Sequence, residues 1–447
     1  MPGVDVDADV AVVGAGLAGL VCARDLVRSG RSVVVLEASG RVGGRTVDED
    51  LGDGQVVEGG GQWAGPTQTA VLGLARELGV ATFPTYDEGD SLLEWRGSVR
   101  RYRGTIPRVG PLVLADLAQA LARTERLARR VPPQAPWAAP DAVVQDGTTL
   151  ETWLRRHVRT AGARDLLTLG VRAVFAAEPA ELSLLGVLAY VRSAGGWSAL
   201  LDTAGGAQQD RFAGGSQRLS QLLAQDLPVV LDAPVVRIAQ DDAGVRVEAG
   251  ESYRARRVVV TAPPALAGRI AYAPALPGAR DQLTQRVPMG AVVKCHAVYD
   301  EPWWRAEGLS GQGTSDRGPV SAVFDNSPPS GRPGVLLAFL EGRAARTVPA
   351  AQRRTAVLDA LVRLFGPRAA RPDAWLERDW TAEPWARGGY GGALAPGTWT
   401  QLGPALRTPV GRVHWAGTET ASRWTGYMDG AVRSGADAAR EVLSAPD

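Results

Sequence analysis

Residues 9–37 read DVAVVGAGLAGLVCARDLVRSGRSVVVLE, and this stretch decides the fold. Asp9 to Val13 is a short apolar run of the buried-strand type. Gly14-Ala15-Gly16-Leu17-Ala18-Gly19 follows, and a helical stretch then sets Leu20, Ala23 and Val27 on one face. A second apolar run, Val33 to Leu36, ends at Glu37. Strand, glycine turn, helix, strand and acid each have a task in holding a dinucleotide. Gly14 makes the tight turn, Gly16 lets the backbone approach a pyrophosphate at the helix N-terminus, and Gly19 packs helix against strand. Glu37 accepts from a ribose hydroxyl.

Just beyond, Arg41-Val42-Gly43-Gly44-Arg45 offers two arginines and paired glycines suited to further phosphate contacts, which favours FAD over NAD. Glu58-Gly59-Gly60-Gly61 leads through Gln62 and Trp63 into a helix with Val71, Leu74, Ala75 and Leu78 on one face, stopped by Gly79. Successive glycines let backbone lie against something flat. Residues 108–200 read as a separate helix-rich insert, with the basic run Arg126 to Arg130 on a solvated face. Strand signals return at Val229 to Ile238, Val245 to Glu248 and Arg257 to Thr261. Residues 291–299 (AVVKCHAVY) read as an alternating strand with Lys294, His296 and Val298 on one face and Cys295 on the other. Asn326 to Gly334 reads as a surface loop, and residues 352–365 as an amphipathic helix burying Val357, Leu361, Leu364 and Phe365. In the last third a strand, a glycine turn and a helix start recur through Gly417, Thr418, Glu419 and Met428, as expected of a segment that folds back onto the cofactor. Tyr390 and Tyr427, each preceded by glycine, are the aromatic pair to place beside a flat ring.

Composition narrows the function. The chain has 447 residues, enough for two or three domains, with 45% hydrophobic and 22% charged residues, which argues against disorder. A net charge of +1 supplies no field for nucleic acid or an anionic membrane. MPGVDVDADV lacks the features of a secretory signal, and no apolar run is long enough for a membrane span. Cys22 and Cys295 make neither a disulfide framework nor a zinc site, so no metal is expected and a reducing cytosol fits. Of the 49 basic residues only Lys294 is a lysine. Either codon bias turned the other lysines to arginine and left one by chance, or this site needs a compact ammonium that can lose its proton, which arginine cannot do.

The chain resembles the flavin monoamine oxidase family over nearly its whole length. The resemblance rests on VVGAGLAGL with Glu37, RVGGR, GGQWAGPTQ, GGAQQDRFAGGSQRLS, VVVTAPP, RVPMGAVVKC, PWW and GRVHWAGTETASRWTGYMDGAV. It implies an α/β fold: a Rossmann-like FAD-binding domain, discontinuous in sequence (1–80, 206–285 and 388–447), with an inserted helix-rich and mixed-sheet substrate domain (81–205 and 286–387). Carried over by motif, Lys294 is similar to the lysine that holds a water against flavin N5. Tyr390 and Tyr427 resemble the two tyrosines of an aromatic cage that guides a neutral amine. Gln208 is similar to a glutamine of the substrate cavity, although one extra residue nearby leaves Gln209 open. Val235 matches a residue whose backbone meets adenine, and Glu419 and Met428 match positions near the ribityl chain and pyrimidine. Gly389 stands where animal members carry a flavin-bonded cysteine, so the resemblance implies noncovalent FAD.

The expected reaction is oxidation of an amine to an imine by hydride transfer to flavin, with O2 as acceptor and hydrogen peroxide as product. Two alternatives stand beside it: an oxidase of specialised metabolism whose imine reacts onward, and a flavin-binding protein without turnover. The partners expected are a small amine and O2, with no nucleic acid and no membrane, a cytoplasmic location and a homodimer as one possible assembly. His296 shares the Lys294 face, where a hydrogen-bonded core histidine is favoured over a cavity residue, and His157 and His414 have less claim still.

Overall fold

The run Val33–Leu36 is buried along its whole length, as a strand covered on both faces must be. It pairs in parallel with Val6–Val13, which pairs on its other side with Glu251–Val260, and Val413–Trp415 adds a further parallel neighbour to the end of that strand. The complete sheet has eight strands in the order 229–230, 33–36, 6–13, 251–260, 244–249, 237–241 and 271–273, with 413–415 beside 251–260. Register places the carboxyl ends of the parallel strands side by side: Val13 lies opposite Leu36 and Val260, and Val260 opposite Trp415. A crevice outside that edge is where open α/β sheets bind ligands. The computed structural model describes residues 6–104, 107 and 109–446, so the opening residues of MPGVDVDADV lie outside it.

The single strand expected over Val229 to Ile238 is in fact two, Val229–Val230 and Arg237–Asp241. Pro234 has no N–H for a ladder, and the segment between the two strands passes along the carboxyl edge instead. The helical insert is present as Pro111–Ala128, Leu150–His157, Ala161–Phe175 and Leu184–Ala194. Thr149, Thr160 and Ser183 cap three of these helices by accepting from a backbone N–H three residues on. Trp153, Leu154, Val174, Leu185 and Leu188 form the core beneath them.

A second sheet has seven strands in the order 374–379, 292–299, 334–341, 320–325, 309–315, 90–95 and 98–102. Its strand Val292–Tyr299 is buried at every residue, so the alternation read from the sequence does not mark a wet face. Val293, Cys295 and Ala297 pack on Val357, Leu361 and Leu364 of the helix Ala350–Phe365, while Lys294 and His296 point to the opposite side. The stretch 326–333 is a loop and Gly334 already begins the next strand, but Asn326 and Ser327 at the loop's start are buried, which corrects the expected surface loop. Both cysteines are fully buried; burial pushes the Cys22 thiol up to about 12 and the Cys295 thiol up as well. Among the described residues no helix is long and apolar enough to cross a membrane.

Candidate active site

A cavity of about 440 Å³ runs along the carboxyl edge of the first sheet and reaches the Lys294 face of the second. Val13, Gly14, Glu37, Thr261 and Gly417 line it from the strand ends, and Gly16, Leu17 and Ala18 from the first turn of the helix Leu17–Arg28. That helix start has no side-chain cap, so its leading N–H groups face the cavity as anion donors. Gly14 and Gly19 are sterically required. Gly14 sits at φ +104°, a Cβ at Gly19 would lie 1.9 Å from the Gly14 carbonyl oxygen, and Gly16 leaves open space toward the cavity. A second uncapped helix start, Met428–Ser444, presents Met428 from the other side.

Of the residues expected at the cofactor, Gly14, Gly16, Glu37, Arg45, Gly60, Gly61, Gln62, Trp63, Val235, Gly417 and Met428 line the cavity, whereas Gly19 and Glu419 do not. Gly19 lies beneath the turn it packs. Glu419 instead takes a bidentate pair from Arg45, at 2.6 and 3.0 Å, and accepts the Gly392 N–H. Burial opposes its charge, yet Arg45 holds its carboxyl below the usual range. The phosphate contacts expected of both arginines meet a competing use. Arg41 donates to the carbonyls of Val42, Gly44 and Thr46 within its own turn, and Arg45 donates to Glu419 and to the Tyr390 carbonyl. Glu37 receives the Ala15 N–H at 2.7 Å and both donors of Ser39, and so braces the glycine turn.

Lys294 is buried, and its Nζ donates to the carbonyls of Glu58 (2.6 Å) and Gly60 (2.8 Å) and to Gln62 Oε1. Gln62 passes the chain of bonds to Asn326 at 2.7 Å. Burial pushes the Lys294 ammonium down to about 7, so the neutral amine is within reach near neutral pH. Beneath it Glu58 and Arg211 form a buried ion pair at 2.6 Å. His296 is fully buried and does not line the cavity. The core position expected of it is correct: its ring lies against the Glu58 backbone, and burial keeps its imidazole neutral.

Tyr390 and Tyr427 both line the cavity, and burial raises both phenols so that they stay neutral. Tyr390 packs edge-on against Phe339 at 6.4 Å, and Tyr427 against Trp424 at 4.9 Å and Tyr190 at 6.0 Å. Gln208 lines the cavity with its Oε1 unpartnered while its Nε2 donates to the Leu200 carbonyl; Gln209 is tied to Gly205 and Asp210 and does not line it. Of the two glutamines left open by the sequence, Gln208 is therefore the one that faces the cavity. Sequence reading missed Tyr190, Phe339 and Trp380, which complete the aromatic wall. Tyr190 and Phe339 sit in apolar runs where nothing but the tertiary fold separates a cavity ring from a core ring, and Trp380 stands alone among charged residues at the end of its strand.

The residues present fit a flavin dinucleotide. Two uncapped helix starts suit a diphosphate, an aromatic wall suits a ring system, and Trp63 Nε1 and Gln208 Oε1 are buried polar atoms on the cavity that lack protein partners. Such a group would be held by Gly14 to Ala18, Glu37, Val235 and the start of the last helix. Among the described residues no cluster of His, Cys, Asp and Glu has metal-binding geometry.

A family profile described as flavin containing amine oxidoreductase matches residues 17–443. AofH of Mycobacterium tuberculosis, named by inference as a flavin-containing monoamine oxidase, is 45% identical over 439 residues, which is 98% of this chain and 96% of that one. Wild-type putrescine oxidase bound to putrescine superposes with a TM-score of 0.95 at 35% identity, over 99% of this chain and 100% of the other. Cyclohexylamine oxidase from Brevibacterium oxydans IH-35A superposes with a TM-score of 0.93 at 36% identity, over 99% of each.

Proposed function

The chain belongs to the flavin-containing amine oxidoreductase family, and on that premise we propose that it oxidises a small amine at a noncovalent FAD, with O2 as the terminal acceptor. A flavin bound there would supply the redox chemistry, accepting a hydride from the carbon next to the amine nitrogen and passing the two electrons to O2, so that the products would be hydrogen peroxide and an imine open to hydrolysis. The observation that carries the reading is the meeting, on one cavity, of the chain's single lysine with Tyr390, Tyr427 and the dinucleotide crevice.

Each residue then has a task. Tyr390 and Tyr427 present neutral rings that receive an uncharged amine and keep bulk water away. Gln208 offers its free Oε1 to the amine N–H. Lys294 positions a water: its three N–H groups go to the Glu58 and Gly60 carbonyls and to Gln62 Oε1, and deprotonation turns one of these directions into a lone pair that accepts from that water. Noncovalent attachment is supported by Gly389 beside the first tyrosine and by two cysteines that do not line the cavity. The division into an FAD domain (1–80, 206–285 and 388–447) and a substrate domain (81–205 and 286–387) is supported by the first sheet, which draws strands from 6–36, 229–273 and 413–415.

The test is anaerobic mixing of the purified flavoprotein with a panel of primary amines, secondary amines, diamines and amino acids while following the oxidised-flavin band. Bleaching by one class, reversed by air with release of peroxide, is the expected result. A flavin that no amine bleaches overturns the reading.

A further inference from the structure

Tyr390 is held at both ends. Its carbonyl accepts from Arg45 at 3.0 Å, itself clamped by Glu419, and its phenol donates to Glu341 Oε1 at 2.7 Å. Glu341 is 3% exposed and ends the strand Gly334–Glu341, two residues beyond Phe339 on the same sheet face. Register sets Phe339 against Lys294 and Glu341 against Val292, and Val292, Lys294 and Phe339 all line the cavity. The carboxyl group thus belongs to the cavity face of the second sheet but stands just behind the Tyr390 ring.

A buried phenol needs an acceptor, and a backbone carbonyl or a hydroxyl would serve. A carboxyl group is the costly choice there. Its second oxygen accepts from Ser321 Oγ, and among the described residues no cation pairs with it: Arg172, the charge that acts on it from a distance, is spent on Glu178 at 2.8 Å. Burial raises the carboxyl to about 7. What the protein gains for that cost is a strong, directional anchor at the far end of a ring whose plane must face the substrate.

We infer that Glu341 is the positioning residue of Tyr390, fixing the ring plane that forms one wall of the amine site. The inference rests on the reading of Tyr390 as a cage wall. Glu341 itself does not line the cavity.

The test is the limiting rate and apparent amine dissociation constant of anaerobic flavin reduction in Glu341→Leu, Glu341→Gln, Tyr390→Phe, the Leu/Phe double variant and Tyr390→Ala. Losing this buried hydrogen bond should slow reduction on the order of 10- to 100-fold in Glu341→Leu and in Tyr390→Phe. The double variant should be no slower than either, because both singles remove the same bond. Glu341→Gln keeps an acceptor and should recover most of the rate, with flavin content at the wild-type level. Additive losses, or a glutamine variant as slow as the leucine one, overturn the inference. If Glu341→Leu fails to hold flavin, Tyr390→Phe at the wild-type rate overturns it alone. Tyr390→Ala at the wild-type rate would instead overturn the cage reading, whatever Glu341 does.

Discussion

Lys294 carries two consequences that one substitution can separate. Methionine in its place keeps the length of the side chain but gives up the donors to Glu58, Gly60 and Gln62. Lys294→Met should slow flavin reduction or reoxidation by at least an order of magnitude while the protein keeps its flavin; stopped-flow traces at wild-type rates in both half-reactions would remove the proposed role. Stability gives the second consequence. The ammonium loses its proton near pH 7 when folded and near the ordinary lysine value of 10.5 when unfolded, so between these values the unfolded chain binds more protons and the native state gains stability as pH rises. Urea midpoints should therefore rise from pH 7 toward 10 more steeply in the wild type than in Lys294→Met. Beneath the lysine, Arg211→Met strands the buried Glu58 carboxylate and should cost about 3–5 kcal/mol, read as a lower melting temperature. Lysine scarcity and tyrosines after glycine were legible in the sequence at this scale. Glu341 was not, because an acid at the end of GVLLAFLE reads as the solvent-facing end of a strand, and only the return of Tyr390 from 49 residues later buries it.

Elements that make the site are tied together by few groups. Asp429, fully buried in the first turn of the last helix, accepts the Ala70 and Val71 N–H groups at the start of the helix Thr69–Glu77 and pairs with Arg433. One carboxylate thus caps one helix from within another. Asp429→Ala should cost about 2–3 kcal/mol by thermal melt and loosen flavin retention, since Met428 beside it lines the cavity. The sequence showed both helices through their apolar spacing and small residues. It could not show the tie, because an aspartate at a helix start reads as an ordinary response to the helix dipole. The same limit explains the strand misread over 229–238: local apolarity ran on, whereas Pro234 and the need to border the cavity ended the ladder.

For the whole molecule, the cavity is lined from Val13 near one terminus to Ala431 near the other, and from both sheets. A ligand seated there bridges segments that are otherwise distant in sequence, so it stabilises the fold by mass action. Excess FAD added to flavin-depleted protein should raise the melting temperature by several degrees, and flavin release on heating should coincide with unfolding; release well before unfolding would mean that the two sheets close without the cofactor. The crevice of the first sheet was readable because three of its strand ends carry a local signal: the glycines after Val13, Glu37 after Leu36, and Gly417 with Glu419 after Trp415. The second sheet was not, since it joins residues 90–102 to 292–379 and no local pattern announces such pairing.

Cys22 and Cys295 are sealed in the core with their thiols pushed up, so neither supplies the thiolate that peroxide attacks. If turnover releases peroxide as proposed, oxidative damage would fall elsewhere. Among the described residues the sulfur on the cavity wall is the thioether of Met428. After prolonged turnover, mass spectrometry should find the first added oxygen on the peptide carrying Met428, with both cysteines still reduced, and catalase in the mixture should prevent it.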